Sequence, residues 1–264
     1  MKKVLVTGMN GLIGGTLKEH LGSQYDMYAL NRRKMEGTQC FQADIADLEA
    51  IKPAFNGMDV VVHLAATSGL ASSATAMPSN FDDLLNTNIV GTYNVFEAAR
   101  ASNVKRVIFF STGWVTESGV ITTDYEPVSP YNLISDGDYD KAPKSFPLVT
   151  HETPLRPANL YACTKVWGEA VARYFSDSQN MSVIVIRSGG VREKDEPLFP
   201  RDWPTWCSKR DISQMVKKSI DADDSLRFGI FFAVSNNKWG FRDLKHAKDI
   251  LGFEPEDDAE MHRN

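Results

Sequence analysis

The feature that most constrains the fold is a glycine-rich segment near the start of the chain. Residues 4–7 are a mostly apolar, β-rich run, residues 7–14 read TGMNGLIG, and residues 12–21 have the apolar spacing of a helix closed by Gly22. Glycines at this spacing allow a tight turn and let N–H groups at the helix start approach a pyrophosphate. The alternative is a set of structural turn glycines. The segment predicts a dinucleotide site in which the phosphates lie against Gly8, Gly11, Leu12, Ile13 and Gly14.

Short β-rich runs alternate with longer helical stretches, which is typical of βαβ units and a parallel sheet. The runs are nearly continuous in apolar residues, as expected of strands covered on both faces. The expected fold class is α/β: residues 1–187 form a Rossmann-type doubly wound parallel sheet, and residues 188–264 form a small C-terminal substrate-binding cap packed on it. Gly91, inside the longest helical stretch, suggests close packing there. We predict strands at 4–7, 27–30, 59–64, 106–111 and 182–187, and helices at 12–21, 48–55, about 81–101, 210–220 and 242–251.

Composition excludes several classes of protein. The 264 residues carry 29 Lys+Arg against 34 Asp+Glu, and the three cysteines are scattered with no CxxC pair. The formal net charge of −5 disfavours a nucleic-acid binder, which needs a basic face, and the cysteine pattern disfavours a disulfide scaffold or a zinc site. No apolar run approaches the ~20 residues that a membrane span needs. We expect a cytoplasmic globular protein with no metal and with no nucleic-acid or membrane partner.

One stretch interrupts the alternation of strands and helices. Residues 117–140 hold six acidic residues, two prolines and no Lys or Arg. Because long loops in compact domains are often functional or mobile, we expect an acidic surface excursion there.

Basic residues follow the second predicted strand. In NAD-binding proteins with this kind of glycine loop, an acidic residue at that point accepts a hydrogen bond from the adenosine 2′-hydroxyl. This chain has Asn31, Arg32 and Arg33 there; the asparagine cannot act as an anionic acceptor, and the arginines can pair with a 2′-phosphate. We predict NADP(H) as the cofactor, with NAD(H) as the alternative if the basic run is solvated surface charge.

Tyr161 and Lys165 form a second chemical signature. They are four residues apart, so both side chains lie on one face of a helix. The ordinary tyrosine pKa is near ~10, but a neighbouring ammonium and an oxidised nicotinamide both favour the phenolate and lower that pKa. The phenolate can then take a substrate hydroxyl proton while a hydride leaves for the nicotinamide. The alternative for such a pair is ordinary helix surface.

Seven motifs occur in order along nearly the whole chain. They are TGMNGLIG at 7–14, ADI at 43–45, HLAA at 63–66, NIVGTYNVFEAA at 88–99, FFST at 109–112, YACTK at 161–165 and LGFEP at 251–255. This set resembles the extended branch of the short-chain dehydrogenase/reductase superfamily, the NAD-dependent epimerase/dehydratase family.

The resemblance implies roles for individual residues. Thr112 would hydrogen-bond the reacting oxygen, Ser111 would assist or replace it, and Lys165 would also hold the nicotinamide ribose. Asn88 would brace the cofactor and active site from the long helix, and the protein would form a homodimer. Asp44 and Ile45 would contact the adenine, and Leu64, Ala65 and Ala66 the nicotinamide side.

In layout the chain is most similar to uronate dehydrogenases and related small sugar dehydrogenases. In these, an arginine five residues before a tryptophan binds the anionic group of the substrate, and Arg201 stands at that distance from Trp206. The alternative for Arg201 is a solvated loop arginine. Gly113 and Trp114 follow Thr112, where dehydratases have an acidic pair and uronate enzymes have Asn and His. We therefore expect Gly113 and Trp114 to line a pocket altered for another carbohydrate-like substrate.

The resulting hypothesis is an NAD(P)-dependent oxidoreductase. It transfers a hydride between the nicotinamide and a hydroxyl or carbonyl of a sugar or sugar-acid-like molecule, with Tyr161 as general base or acid. One alternative is a sugar or nucleotide-sugar epimerase, which returns the hydride to the opposite face; the short segment 188–264 disfavours a nucleotide sugar. The other is a non-catalytic NAD(P)-sensing regulator, which would need the glycine loop but not Tyr161.

Overall fold

A seven-stranded parallel sheet runs through the protein. The computed structural model describes residues 1–68, 81–116, 130–157 and 159–263. The strands lie in the order β3-β2-β1-β4-β5-β6-β7, so the sheet grows outward in two directions from a switch point between β1 and β4. Leu5 of β1 pairs in register with Tyr28 of β2 and Val61 of β4. The strands are β1 (Lys3–Thr7), β2 (Asp26–Asn31), β3 (Gln39–Gln42), β4 (Val60–His63), β5 (Arg106–Thr112), β6 (Ser182–Ser188) and β7 (Phe228–Ala233).

Helices cover both faces of this sheet. A π-helical turn, Leu84–Val90, joins α3 to α4, and 3-10 turns follow α2 at Lys52–Phe55 and β5 at Gly113–Val115. The Asn159 side chain caps α6 by accepting a hydrogen bond from the Ala162 N–H. The helices are α1 (Leu12–Leu21), α2 (Leu48–Ile51), α3 (Phe81–Asp83), α4 (Gly91–Ala101), α5 (Tyr131–Asp136), α6 (Leu160–Ser178), α7 (Lys209–Asp221) and α8 (Lys245–Leu251).

Two hydrophobic layers, one on each face, hold the helices to the sheet. On one face Leu17 of α1 and Met215 of α7 pack with strand residues such as Ile108. On the other face Phe96 of α4 and Phe175 of α6 pack with strand residues that include Phe109. The central strands β1, β4, β5 and β6 are buried from both sides, which explains why their sequences are largely apolar. The predicted α/β, Rossmann-type doubly wound sheet is confirmed.

The five predicted strands all form, but two further strands were not predicted. β3 is short, polar and only partly buried, so its sequence carries little strand signal. β7 is apolar, but it lies in the segment that we expected to form only a cap. Residues 188–264 instead add β7 beside β6 and pack α7 against the same face as α1. The division at residue 187 into a cofactor-binding part and a substrate-binding part stays a prediction.

The predicted helices also form, with altered bounds. The stretch expected at 81–101 is helical, with the π turn in its middle, and α8 begins three residues later than the predicted start at Arg242. Within the acidic segment 117–140, residues 117–129 lie outside the described part. The remainder forms α5 and a 3-10 turn at Tyr139–Lys141, and Ile134 of α5 packs in a small cluster with Phe241. Among the helices of the described residues, none is long and apolar enough to span a membrane.

Candidate active site

The carboxyl ends of the central strands open into one cavity of about 540 Å³. In an open parallel sheet, ligands bind at this edge, next to the switch point. The glycine loop after β1 lines the cavity together with Thr112 after β5 and Tyr161 and Lys165 of α6. Arg201, predicted from the C-terminal segment, lines it as well. Residues predicted for cofactor, chemistry and substrate therefore meet in one place.

The glycine loop is shaped for close backbone approach. Gly8 has a φ of +73°, and a Cβ at this position would lie 2.9 Å from the Cα and N of Ala65. A Cβ on Gly14 would lie 2.4 Å from the Cα of Met9, so only glycine lets α1 pack on the loop. Gly8, Gly11, Leu12, Ile13 and Gly14 all line the cavity. The N-terminus of α1 thus faces an open cradle, which fits a dinucleotide pyrophosphate.

Asn31, at the end of β2, holds the glycine loop rather than facing the cavity. Its side chain is buried, accepts a hydrogen bond from the Asn10 N–H at 3.3 Å and donates to the Cys40 sulfur at 3.8 Å. Arg32 and Arg33 are exposed beside the loop, where the Asn10 amide donates to the Arg33 carbonyl at 3.2 Å. Their role toward the adenosine half of a dinucleotide stays a prediction.

Asp44 and Ile45 differ in their surroundings. Asp44 is exposed, and its carboxylate accepts a hydrogen bond from the Ala46 N–H at 2.9 Å. Ile45 is buried, and its carbonyl accepts from the Asn94 amide at 2.9 Å. A Cβ on Gly91 would lie 2.6 Å from the Ile45 Cδ1. The expected close packing at Gly91 is therefore confirmed, and it anchors the predicted adenine segment to α4.

The segment after β4 forms part of the cavity wall. Leu64 and Ala66 line the cavity, while Ala65 packs against Gly8 and donates its N–H to the Thr7 hydroxyl at 3.1 Å. His63, at the end of β4, is buried between the hydroxyls of Thr7, at 2.8 Å, and Thr92, at 3.1 Å. Burial and the nearby Lys165 lower the pKa of His63 to about 3, so its ring is neutral and structural.

Asn88 ties three parts of the site together from the π-helical turn. Its carbonyl oxygen accepts from the Thr67 N–H at 2.9 Å, and its amide donates to the Thr67 carbonyl at 2.8 Å. The same amide donates to the Thr164 hydroxyl of α6 at 3.0 Å. The side chain is buried, and these hydrogen bonds join the segment after β4 to α6; a role for Asn88 in bracing the active site stays a prediction. π-Helical turns frequently occur at functional sites.

Tyr161 and Lys165 lie on the same face of α6. The Lys165 ammonium donates to the Phe110 carbonyl at 2.8 Å and lies 5.6 Å from the centroid of the Tyr161 ring. Burial lowers the pKa of Lys165 to about 7, although the negative charge of Glu169 acts to raise it. Burial also raises the pKa of Tyr161 to about 12. The expected lowering of the tyrosine pKa, which involves the oxidised nicotinamide, stays a prediction; in the protein without cofactor, burial around the phenol acts in the opposite direction.

Thr112 and Ser111 point to different partners. The Thr112 hydroxyl oxygen accepts from the Trp114 N–H at 3.3 Å, and the residue lines the cavity. The Ser111 hydroxyl donates to Glu169 at 2.6 Å. Glu169 in turn forms a buried ion pair with Arg187 at 2.8 Å. Both residues line the cavity, and the Ser111 hydroxyl is in addition part of the buried network of Glu169 and Arg187.

The C-terminal segment closes the other side of the cavity. Arg192 forms a two-bond ion pair with the buried Asp202, and the Asp202 carboxylate also accepts from the Leu198 and Phe199 N–H groups. Gly190 and Thr205 are joined by a backbone hydrogen bond of 3.0 Å. Trp114 lines the cavity, whereas Gly113 is buried and does not. The cavity residues that we did not predict come mainly from this segment: Ser188, Gly189, Gly190, Val191, Arg192, Asp202, Thr205 and Arg242.

The sequence profile described as "NAD dependent epimerase/dehydratase family" matches residues 4–191. The chain belongs to this family. The match covers every strand from β1 to β6 and the glycine loop, Thr112, Tyr161 and Lys165. The predicted membership of the extended short-chain dehydrogenase/reductase branch is confirmed, as is the predicted class of NAD(P)-dependent dehydrogenase.

Relatives of known activity match over nearly their whole length. An L-arabinose 1-dehydrogenase (NAD(P)(+)) of Haloferax volcanii is 30% identical over 98% of this chain and 98% of its own. An NAD-dependent glucose-6-phosphate dehydrogenase of the same organism is 29% identical over 97% of this chain and 94% of its own. The crystal structure of uronate dehydrogenase from Agrobacterium tumefaciens, 27% identical, superposes with a TM-score of 0.80 and covers 100% of this chain and 87% of its own.

Proposed function

We propose that this protein is an NAD(P)-dependent oxidoreductase that acts on a small sugar or sugar acid. It transfers a hydride between the nicotinamide and a sugar hydroxyl or carbonyl, and the working reaction is oxidation of C1 of a cyclic sugar to a lactone. The observation that carries the proposal is the shared cavity of the glycine loop, Thr112, Tyr161 and Lys165. The relatives named as dehydrogenases of arabinose, glucose 6-phosphate and uronate support a sugar-sized substrate.

Thr112, Tyr161 and Lys165 each have a separate role in the proposed hydride transfer. When bound, the nicotinamide accepts or returns the hydride. Thr112 donates its hydroxyl proton to the reacting oxygen and so orients the substrate. Tyr161 removes the proton of the substrate hydroxyl during oxidation and returns it during reduction. Lys165, fixed by the Phe110 carbonyl, holds a positive charge near the phenol and is placed for the nicotinamide ribose.

The cofactor form proposed for this chain is NADP(H), with NAD(H) as the alternative. The support is the exposed pair Arg32 and Arg33 beside the glycine loop, together with Asn31, whose amide is engaged with Asn10 and Cys40. The names of the relatives include both NAD(P)(+) and NAD. In a titration of the protein with each cofactor, NADP should bind more tightly, and Arg33→Ala should remove that preference. A tenfold preference for NAD, ~1.4 kcal/mol, would contradict the proposal.

On the substrate side, we propose that Arg201 binds an anionic group and that Trp114 and Gly113 shape the pocket. Arg201 and Trp114 line the cavity next to Thr112 and Tyr161. In this proposal, residues 188–264 complete the substrate pocket and residues 1–187 hold the cofactor. A homodimer and a cytoplasmic location stay predictions from the sequence.

The test is a panel of aldoses, sugar phosphates and uronates, read by NAD(P)H absorbance. We expect net reduction of the cofactor with at least one substrate and a loss of at least ~100-fold in kcat for Tyr161→Phe, which removes general base catalysis. Full turnover by Tyr161→Phe would exclude the phenolate role. Conversion of a sugar without net cofactor turnover would identify an epimerase instead. Tight cofactor binding with no conversion of any sugar would favour the NAD(P)-sensing regulator.

A further inference from the structure

Arg242 is a basic residue of the active-site cavity that belongs to none of the sequence motifs. It lies between β7 and α8, far along the chain from Thr112, yet its side chain lines the same cavity. The residue is only 4% exposed. Its guanidinium carbon lies 5.7 Å from the centroid of the Phe232 ring and 6.0 Å from that of Phe241. These two rings hold the guanidinium in one place against the cavity wall.

Gly113 makes room for this guanidinium directly beside Thr112. A Cβ at position 113 would lie 2.1 Å from the Arg242 Nη2 and 2.2 Å from its Cζ. Gly113 is not among the glycines with positive φ, so its backbone conformation does not require glycine. The space for Arg242 is therefore the physical reason for a glycine at this position. Arg242 enters the site where a side chain at position 113 would otherwise stand.

The charges around the cavity favour an anionic substrate. The basic residues that line it are Lys165, Arg192, Arg201 and Arg242. Among the described lining residues the acidic one is Asp202, which is paired with Arg192 at 2.5 Å. The glycine loop is the part of the cavity suited to the cofactor phosphates, whereas Arg242 enters the cavity from the segment after β7. A planar guanidinium can bind a carboxylate or a phosphate through two parallel hydrogen bonds.

We propose that Arg242, whose guanidinium occupies the space left by Gly113, is a specificity-determining residue that binds an oxyanion of the sugar substrate, carboxylate or phosphate, in the cavity. The proposal deepens the proposed function and rests on it. It differs from the role given to Arg201, because Arg201 is exposed at the cavity edge whereas Arg242 is buried and held in position. Since its guanidinium lies beside Thr112, Arg242 would select substrates whose anionic group lies within a sugar's breadth of the reacting carbon.

The test compares Arg242→Met and Arg242→Lys with the wild-type protein on D-glucuronate, glucose 6-phosphate, D-glucose and L-arabinose. Methionine keeps an apolar side chain next to Phe232 and Phe241 but removes the positive charge. Lysine keeps the charge but lacks the planar guanidinium that can donate two parallel hydrogen bonds. We expect Arg242→Met to raise KM for the accepted anionic substrate at least tenfold, ~1.4 kcal/mol. KM for neutral sugars and Kd for the cofactor should change less than twofold. The substrate whose KM rises in Arg242→Met, D-glucuronate or glucose 6-phosphate, shows whether Arg242 binds a carboxylate or a phosphate.

Two further variants keep the result interpretable. Gly113→Ala should reproduce the selective rise in KM, because its Cβ displaces the guanidinium, and it replaces Arg242→Met if that variant does not fold. Arg173→Met, which removes an exposed arginine of α6, should leave KM unchanged. Equal losses with neutral and anionic sugars, no change in KM, or a matching rise in the cofactor Kd would each overturn the proposal.

A binding experiment distinguishes failure of the proposed function from failure of the proposed oxyanion site. If the wild-type protein oxidises no sugar of the panel, D-glucuronate and glucose 6-phosphate are titrated against the protein saturated with NADP, and the melting temperature is followed. A rise in Tm that is present in the wild type and absent in Arg242→Met supports the oxyanion site without any turnover. The absence of a rise in the wild type overturns it.

Discussion

The buried ion pair of Glu169 and Arg187 gives the sharpest prediction about stability. Glu169 accepts hydrogen bonds from the Arg187 Nε at 3.0 Å, the Arg187 Nη2 at 2.8 Å and the Ser111 hydroxyl at 2.6 Å. The Arg187 and Glu169 side chains are 2% and 5% exposed. Glu169→Ala leaves a buried guanidinium without its counter-charge. Removing one partner of such a pair costs ~3–5 kcal/mol, a large part of the ~5–15 kcal/mol that stabilises a typical domain.

The assay is urea unfolding at neutral pH, followed by circular dichroism, for the wild type and four variants. We expect Glu169→Ala and Arg187→Met each to lower the free energy of unfolding by ~3–5 kcal/mol. The double variant Glu169→Ala/Arg187→Met should lose clearly less than the sum of the two single losses, because neither charge is left unpaired. The same helix offers a matched control: Asp177 forms an exposed ion pair with Arg173, and Asp177→Ala should cost no more than ~0.5 kcal/mol.

Two results would refute this reasoning. The first is a loss below ~1 kcal/mol for Glu169→Ala, similar to that of Asp177→Ala, which would mean that solvent reaches the Arg187 guanidinium easily. The second is full additivity in the double variant, which would mean that the two charges do not depend on each other. Either outcome would also contradict the idea that this ion pair holds the end of β5 rigidly next to Thr112, because the Ser111 hydroxyl donates to the same Glu169 carboxylate.

Two further predictions concern the glycine loop and a buried histidine. Gly14→Ala should lower both the melting temperature and the cofactor affinity, because its Cβ would lie 2.4 Å from the Met9 Cα; Gly15→Ala, with nothing within 4 Å, is the matched control and should do neither. The pKa of His63 is about 3 when folded against an ordinary 6.5, so the unfolded chain binds more protons between these values and stability falls as the pH falls through this window. In urea unfolding at pH 7 and pH 4.5, His63→Gln should lose less stability on acidification than the wild type, by on the order of 2 kcal/mol.

Features that depend on local sequence could be predicted well. The glycine loop follows from a backbone turn and a helix start, both encoded within residues 7–14. The shared face of Tyr161 and Lys165 follows from helical periodicity alone. The five central strands follow from apolar runs that only a sheet covered on both sides can bury. In each case the sequence signal lies within a few neighbouring residues. The structure then shows where in the fold these elements lie, but the elements themselves could already be recognised.

Features that depend on contacts between distant segments could not be predicted. Arg242 meets Gly113 only because β7 adds to the sheet beside β6, which brings the chain after it back to the cavity. β7 was missed because an apolar run is a strand only when a neighbouring strand accepts its hydrogen bonds. The rise of the Tyr161 pKa in the protein without cofactor could not be predicted for a related reason: a sequence shows the lysine four residues away but not the degree of burial around the phenol.

The two perturbed groups in the site can be understood together. Burial raises the pKa of Tyr161 to about 12 and lowers that of Lys165 to about 7, so in both cases it disfavours the charged form. In the protein without cofactor, the burial that shapes the cavity therefore works against the phenolate that general base catalysis needs. We expect a positive charge near the phenol, from Lys165 or from the oxidised nicotinamide, to offset part of this effect.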